Sequence, residues 1–308
     1  MTARARRLSV LLLAVASAVA AAGRADAAES PGTDWQKRLG EWRSERFERL
    51  TAPDGWLTLV GLFWLQEGSN RLGGSPANEM VVPGAPALLG TIERSGKTAS
   101  FVAAPGVEVR VRGGEGRVGR TLLASDATGK PTVLESGSLS WFVIERGGRV
   151  ALRVRDREAK TLREFTGLDY FPAGPDWRIA ARLEPAAAGE TLLVPNVVGT
   201  MEPTPTAGRL VFTLAGEEQR LSTILEPGSD ELFIVFGDAT NGKETYGGGR
   251  FLYVEKPRAD GRTTIDFNRA YNPPCAFTPY ATCPLPPKEN RLPARVEAGE
   301  KKAGKGHA

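Results

Sequence analysis

A chain of 308 residues with 41% hydrophobic content is long enough for one large domain or two ordinary ones with real cores. Its 40 lysines and arginines against 36 acidic residues give a net charge of +4. Residues 1–27 carry four arginines and one aspartate, so the rest is left at about +1, and charge gives no argument for a nucleic-acid partner. The sole histidine, His307, sits in the polar tail KKAGKGHA, and the body therefore has no imidazole. That excludes Ser-His-Asp and Cys-His catalysis and histidine-ligated metals. No glycine-rich phosphate loop is present either.

The chain opens with MTARARR, an apolar run LSVLLLAVASAVAAA and the triplet Ala25-Asp26-Ala27. These are the parts of a secretory signal peptide over 1–27, which predicts a periplasmic or secreted protein with no stable membrane span after cleavage. Residues 28–55 predict one helix. Thr33-Asp34-Trp35-Gln36 fits a capping box, and Trp35, Leu39, Trp42, Phe47 and Leu50 form an apolar stripe ending near Pro53-Asp54-Gly55.

From there the chain reads as all-β. Over 56–160, Val107, Val109 and Val111 alternate with charged residues, and Val150, Leu152 and Val154 alternate with Arg149, Arg153 and Arg155. That two-residue period predicts sheets exposed on one face, with Gly147-Gly148 as a tight hairpin turn. NRLGGSPANEMVVP, residues 70–83, resembles the opening of forkhead-associated domains, β-sandwiches that bind phosphothreonine. Arg71, Gly73, Asn78 and Pro83 keep that pattern, but Gly74 stands where the family places its phosphate-binding arginine, and the family's downstream histidine is missing. The resemblance implies a sandwich without phosphothreonine recognition.

LREFTGLDYFPAGPDW loses the alternation and marks a seam. A second β-domain follows over 165–300, a meander predicted to form a barrel or a sandwich. Asn241-Gly242 and Asp260-Gly261 are its expected hairpin turns, and a proline-rich C-terminal wrap closes it. DFNRAYNPPCAFTPYATCPLPP, residues 266–287, holds six prolines and both cysteines. Proline removes backbone donors, so this segment is expected to run extended over the surface, with Phe277, Tyr280 and Leu285 turned inward. Seven residues separate Cys275 from Cys283. In an oxidising compartment the simplest reading is a disulfide contributing roughly 2–3 kcal/mol, with a reactive dithiol or an intermolecular or metal role as alternatives. ETYGGGRFLY, GLFWLQEG, LREFTGLDYFP and the C-terminal motif resemble the bacterial and archaeal family catalogued as domain of unknown function 1684. That resemblance implies no activity. Residues 301–308 read as a disordered tail.

Two functional readings remain. The first is a binding or structural protein of the cell envelope, without cofactor or metal and with no partner named by the sequence. Its ligand, a small molecule or envelope component, would sit in the second domain near Asn268, Arg269, Tyr271 and Asn272. The alternative is a hydrolase or isomerase using Asp266 with Arg250 or Tyr246 as its acid–base cluster. DATNGKE offers oxygen ligands around a glycine, but an Asn-Gly turn between apolar strands accounts for it better.

Overall fold

The computed structural model describes residues 31–303, with side chains from residue 34 onward. The predicted signal peptide lies outside the described residues. No helix among those described is long and apolar enough to cross a membrane.

The helix spans Pro31–Thr51 and so begins before the expected cap at Thr33. Trp35, Leu39 and Leu50 are buried, but so is Arg46, a cation on the same stripe, whereas Phe47 is exposed. The chain turns sharply at Gly55, where an added Cβ would stand 2.4 Å from the Leu50 carbonyl oxygen.

The first β body packs two five-stranded sheets face to face. One runs in the order Leu59–Trp64, Arg149–Asp156, Leu139–Arg146, Leu134–Ser136 and Arg110–Val111. The other runs Met80–Val81, Gly68–Gly73, Gly90–Ser95, Thr98–Ala103 and Arg120–Leu123. Leu72, Ile92 and Phe101 of the second sheet meet Trp141, Leu152 and Val154 of the first in one core. Gly147 and Gly148, both at positive φ, make the expected hairpin. The valine alternation at 107–111 yields only the two-residue strand Arg110–Val111, because the preceding residues turn. Gly73 and Gly74 run so close to residues 85–88 that a Cβ on either would meet backbone within 2.6 Å. Arg71 is bonded to Glu79 and holds that exposed carboxyl down to about 2.

The expectation of one exposed face fails at Arg149–Asp156. Val150, Leu152 and Val154 face the core, but Ala151 and Arg153 on the other face are also buried. Alternation separates the two faces of a strand; it does not say what covers each one.

The second body stacks a four-stranded sheet, in the order Glu217–Ser222, Gly208–Leu214, Arg178–Pro185 and Arg262–Asp266, on a three-stranded one. The latter comprises Ile224–Leu225, Glu231–Phe236 and Arg250–Glu255, and no sheet closes into a barrel among the described residues. Leu232, Ile234 and Leu252 pack toward the larger sheet. Phe233, Val235 and Phe251 face the other way, against Leu192, Val194, Ala281 and Cys283. Burial on both faces is why residues 232–236, LFIVF, are continuously apolar. Asn241-Gly242 is not a two-residue hairpin turn: residues 237–249 form a longer connection between these strands, and Asp238, Thr240, Asn241 and Thr245 bond one another inside it.

The wrap holds the body through buried charge. Arg250 is fully buried, pairs with Asp238 at 2.7 Å, and donates to the carbonyls of Val296 and Ala298. Arg46 of the helix donates to Glu300 at 2.9 Å and to the Asn272 carbonyl at 3.0 Å, while Glu300 accepts from Asn272 N at 2.8 Å. Lys301 and Lys302, expected in the tail, are held on the body, since their N–H groups donate to Asp169 O and Glu244 O; residues 304–308 lie outside the described residues.

Removing one member of a buried ion pair leaves the other uncompensated. Arg46→Met is expected to lower unfolding free energy by about 3–5 kcal/mol in urea titration. Arg46→Met with Glu300→Gln should recover part of that loss.

Candidate functional site

The helix, the arginine face of the first body and the aromatic face of the three-stranded sheet meet around a cavity of about 800 Å³. Strand register sets its floor, with Phe233 opposite Tyr253 and Val235 opposite Phe251. Phe233 and Tyr253 rings lie 4.9 Å apart, and Tyr253 stacks on Tyr271 at 6.4 Å. Burial pushes both the Tyr253 and Tyr271 phenols up, so both stay neutral.

Its walls are basic. Arg46 is paired with Glu300, Arg49 with Glu45 at 3.6 Å, and Arg146 with Asp126 at 2.7 Å. Arg153 differs. It is 3% exposed, and its one hydrogen bond among the described residues runs from Nη2 to Thr282 Oγ1 at 3.3 Å. Its Nε has no partner, and its guanidinium lies 5.4 Å from the Trp56 ring. Burial, with repulsion from Arg146 and Arg155, lowers its pKa to about 10, so it remains a cation at neutral pH. A buried cation without a carboxylate is costly, and an anion bound in the cavity would offset that cost.

The residues expected at a site are scattered by the fold. Arg269 and Tyr271 line the cavity, and Arg269 also stacks on Trp42, 5.6 Å from the ring. Asn268 is buried and bonds the backbone of Gly174 in both directions, at 2.9 and 3.0 Å. Asn272 is buried and donates to Lys301 O at 2.7 Å. Asp266 borders a second groove of about 640 Å³, where it accepts from Trp35 Nε1 at 2.9 Å and from Asn268 Nδ2 at 2.8 Å and lies 3.4 Å from Arg178 Nε. Arg250 is interior, and Tyr246 packs beside Leu50, Leu57 and Phe277. Asp266, Arg250 and Tyr246 thus share neither cavity.

Both cysteines are thiols here, where the sequence led us to expect a disulfide. Pro274–Ala276 form a tight turn that brings Cys275 N within 3.2 Å of Cys283 Sγ, so the two residues meet without being bonded. The Cys283 thiol lies against the Cys275 sulfur, holding Cys275 below the usual thiol range and Cys283 above it.

Sequence reasoning did not single out Arg153. Its available signal was an arginine between the alternating Leu152 and Val154 whose own face also carries Ala151, a residue suited to a covered surface.

The architecture is that of a mostly β protein with one N-terminal helix and an arginine-walled cavity. Residues 163–301 match the family described as protein of unknown function (DUF1684), and the chain belongs to that family. It is similar to the uncharacterized protein from gene locus rrnAC0354 of Haloarcula marismortui, solved in solution by NMR. The identity is 35% over 45% of this chain and 78% of that one, with a TM-score of 0.39. No curated protein matches.

Arg250→Met is expected to destabilise the fold by about 3–5 kcal/mol, because Asp238 is left buried and unpaired. Arg269→Met, at a half-exposed position, should cost less than about 1 kcal/mol. Parallel thermal melts of the two variants separate the interior arginine from the cavity arginine.

Proposed function

We propose that this is an exported envelope protein that binds a small anionic molecule in the arginine-walled cavity. Export rests on the signal-like residues 1–27. The binding reading rests above all on Arg153, a cation buried in the cavity wall with no carboxylate partner. The cavity volume falls within the roughly 300–1,000 Å³ range of small-molecule sites, and aromatic rings line it beside the arginines. The anion would be a carboxylate or a phosphate, and both accept paired donors from a guanidinium.

Arg153→Met provides the test, with 4-methylphenylacetate as the probe in calorimetry. Binding is expected to weaken at least tenfold. The variant's melting point should rise by several degrees, because an uncompensated charge worth about 1–3 kcal/mol is removed. Equal affinity in the two proteins would refute the reading.

The lowered pKa sets a pH window as well. Affinity for the probe should hold from neutral pH to about 9 and fall as pH rises through about 10, where Arg153 loses its proton. If oxidation accompanies export, thiol titration of protein from that compartment should find no free sulfhydryl before reduction.

A further inference from the structure

Besides its arginines, the cavity is lined by Glu226 and Glu231. Side chains alternate along a strand, so Glu231, Phe233 and Val235 share the cavity face while Leu232, Ile234 and Phe236 face the core. Ile224 pairs with Phe233, which carries the chain on to Glu226 beside the Glu231 end. At the other end, Thr282 and Cys283 of the wrap lie near Arg153, and Cys283 packs with Val235 and Phe251. Pro286, further along the wrap, lies against Gly249 and the Phe236 carbonyl, at the end of the strand away from Glu231.

The two carboxylates there are not consumed by the protein's own cations. Among the described residues the Glu226 carboxylate accepts only the Tyr253 hydroxyl, at 2.9 Å, and the half-buried Glu231 side chain has no hydrogen-bond or ion-pair partner. From Glu231 to Val235 the strand advances about 14 Å at about 3.4 Å per residue. A charge-assisted contact of about 2.8 Å at each end leaves room for ligand charges roughly 8 Å apart. Between them lie Phe233 and Tyr253, ring faces that suit an apolar or aromatic span and attract a cation at its end.

We infer that the ligand is a zwitterion, with its anionic group on Arg153, its cationic group between Glu226 and Glu231, and a flat or apolar segment over Phe233 and Tyr253. This rests on the anion-binding reading and adds the second charge. Arg153 alone would select any small anion; the carboxylate end penalises a ligand that is anionic throughout.

The test compares three probes on the intact protein by calorimetry: 4-(aminomethyl)phenylacetate, 4-methylphenylacetate and 4-methylbenzylamine. The zwitterion should bind at least tenfold more tightly than either singly charged analogue. In Glu226→Gln/Glu231→Gln that advantage over 4-methylphenylacetate should vanish, while 4-methylphenylacetate itself binds as well as before or better. Glu231→Gln alone removes no bond within the protein, so it provides a folded variant in which part of the effect must still be seen. If 4-methylphenylacetate binds and the added ammonium brings no gain, the zwitterion is refuted and the anion site stands. If neither carboxylate probe binds, both readings fall together.

Discussion

A proline-rich strap has few hydrogen-bond donors, and it must be held by groups from elsewhere. In this protein buried charges are among those groups, beside the backbone of the body, which Asn290 of the strap also bonds. Arg250 reaches the carbonyls of Val296 and Ala298, and Arg46 ties the helix to Glu300 and to the Asn272 carbonyl. Buried ion pairs offset their desolvation only when the remaining polar atoms are bonded as well. Asp238 meets this condition, accepting from Arg250, from Thr240 through both its amide and its hydroxyl, and from Val296 N. The strap and the helix therefore depend on each other, because either leaving strands Arg46 or Glu300, and the connection at 237–249 cannot leave without stranding Arg250 of the adjoining strand.

That unit decides where open space remains. The larger sheet covers one face of the Glu231–Phe236 strand, and the wrap covers part of the other. Where the wrap stops, the helix and the first body roof the exposed aromatic rings without filling the volume beneath. Arg153 Nε is buried there without a partner, and such local exceptions in an otherwise self-consistent structure are where function is expected.

Much of the fold was legible in the residues. The paired glycines at 147–148 require positive φ, the alternation of Val150, Leu152 and Val154 marks a core-facing strand, and the proline density of 273–287 forbids a central strand. The site was less legible because burial depends on neighbours distant in sequence. Arg153 is covered by Trp56 and Thr282, far away on either side along the chain, and no local pattern encodes that. Arg46 occupies a stripe position that periodicity assigns to an apolar residue, and its partner Glu300 lies in a segment that composition reads as the edge of a tail. Asn241-Gly242 illustrates the same limit: the dipeptide permits a turn, but the surrounding threonines and Asp238 bond it into a longer loop.

The cost of Arg153 bears on how binding and stability are coupled. Arg146 and Arg155 add repulsion to its desolvation, so Arg153 carries an electrostatic penalty that Asp126 offsets only in part. A ligand that supplies the missing anion removes that penalty only in the folded state, because in the unfolded chain the guanidinium is solvated by water. Its binding free energy is then added directly to the free energy of folding. The penalty falls on the strand beside Thr282, within the wrap that Arg250 and Arg46 hold in place. Occupation of the cavity and closure of the wrap therefore favour the same state, and the wrap is a structural element whose stability reports on the ligand.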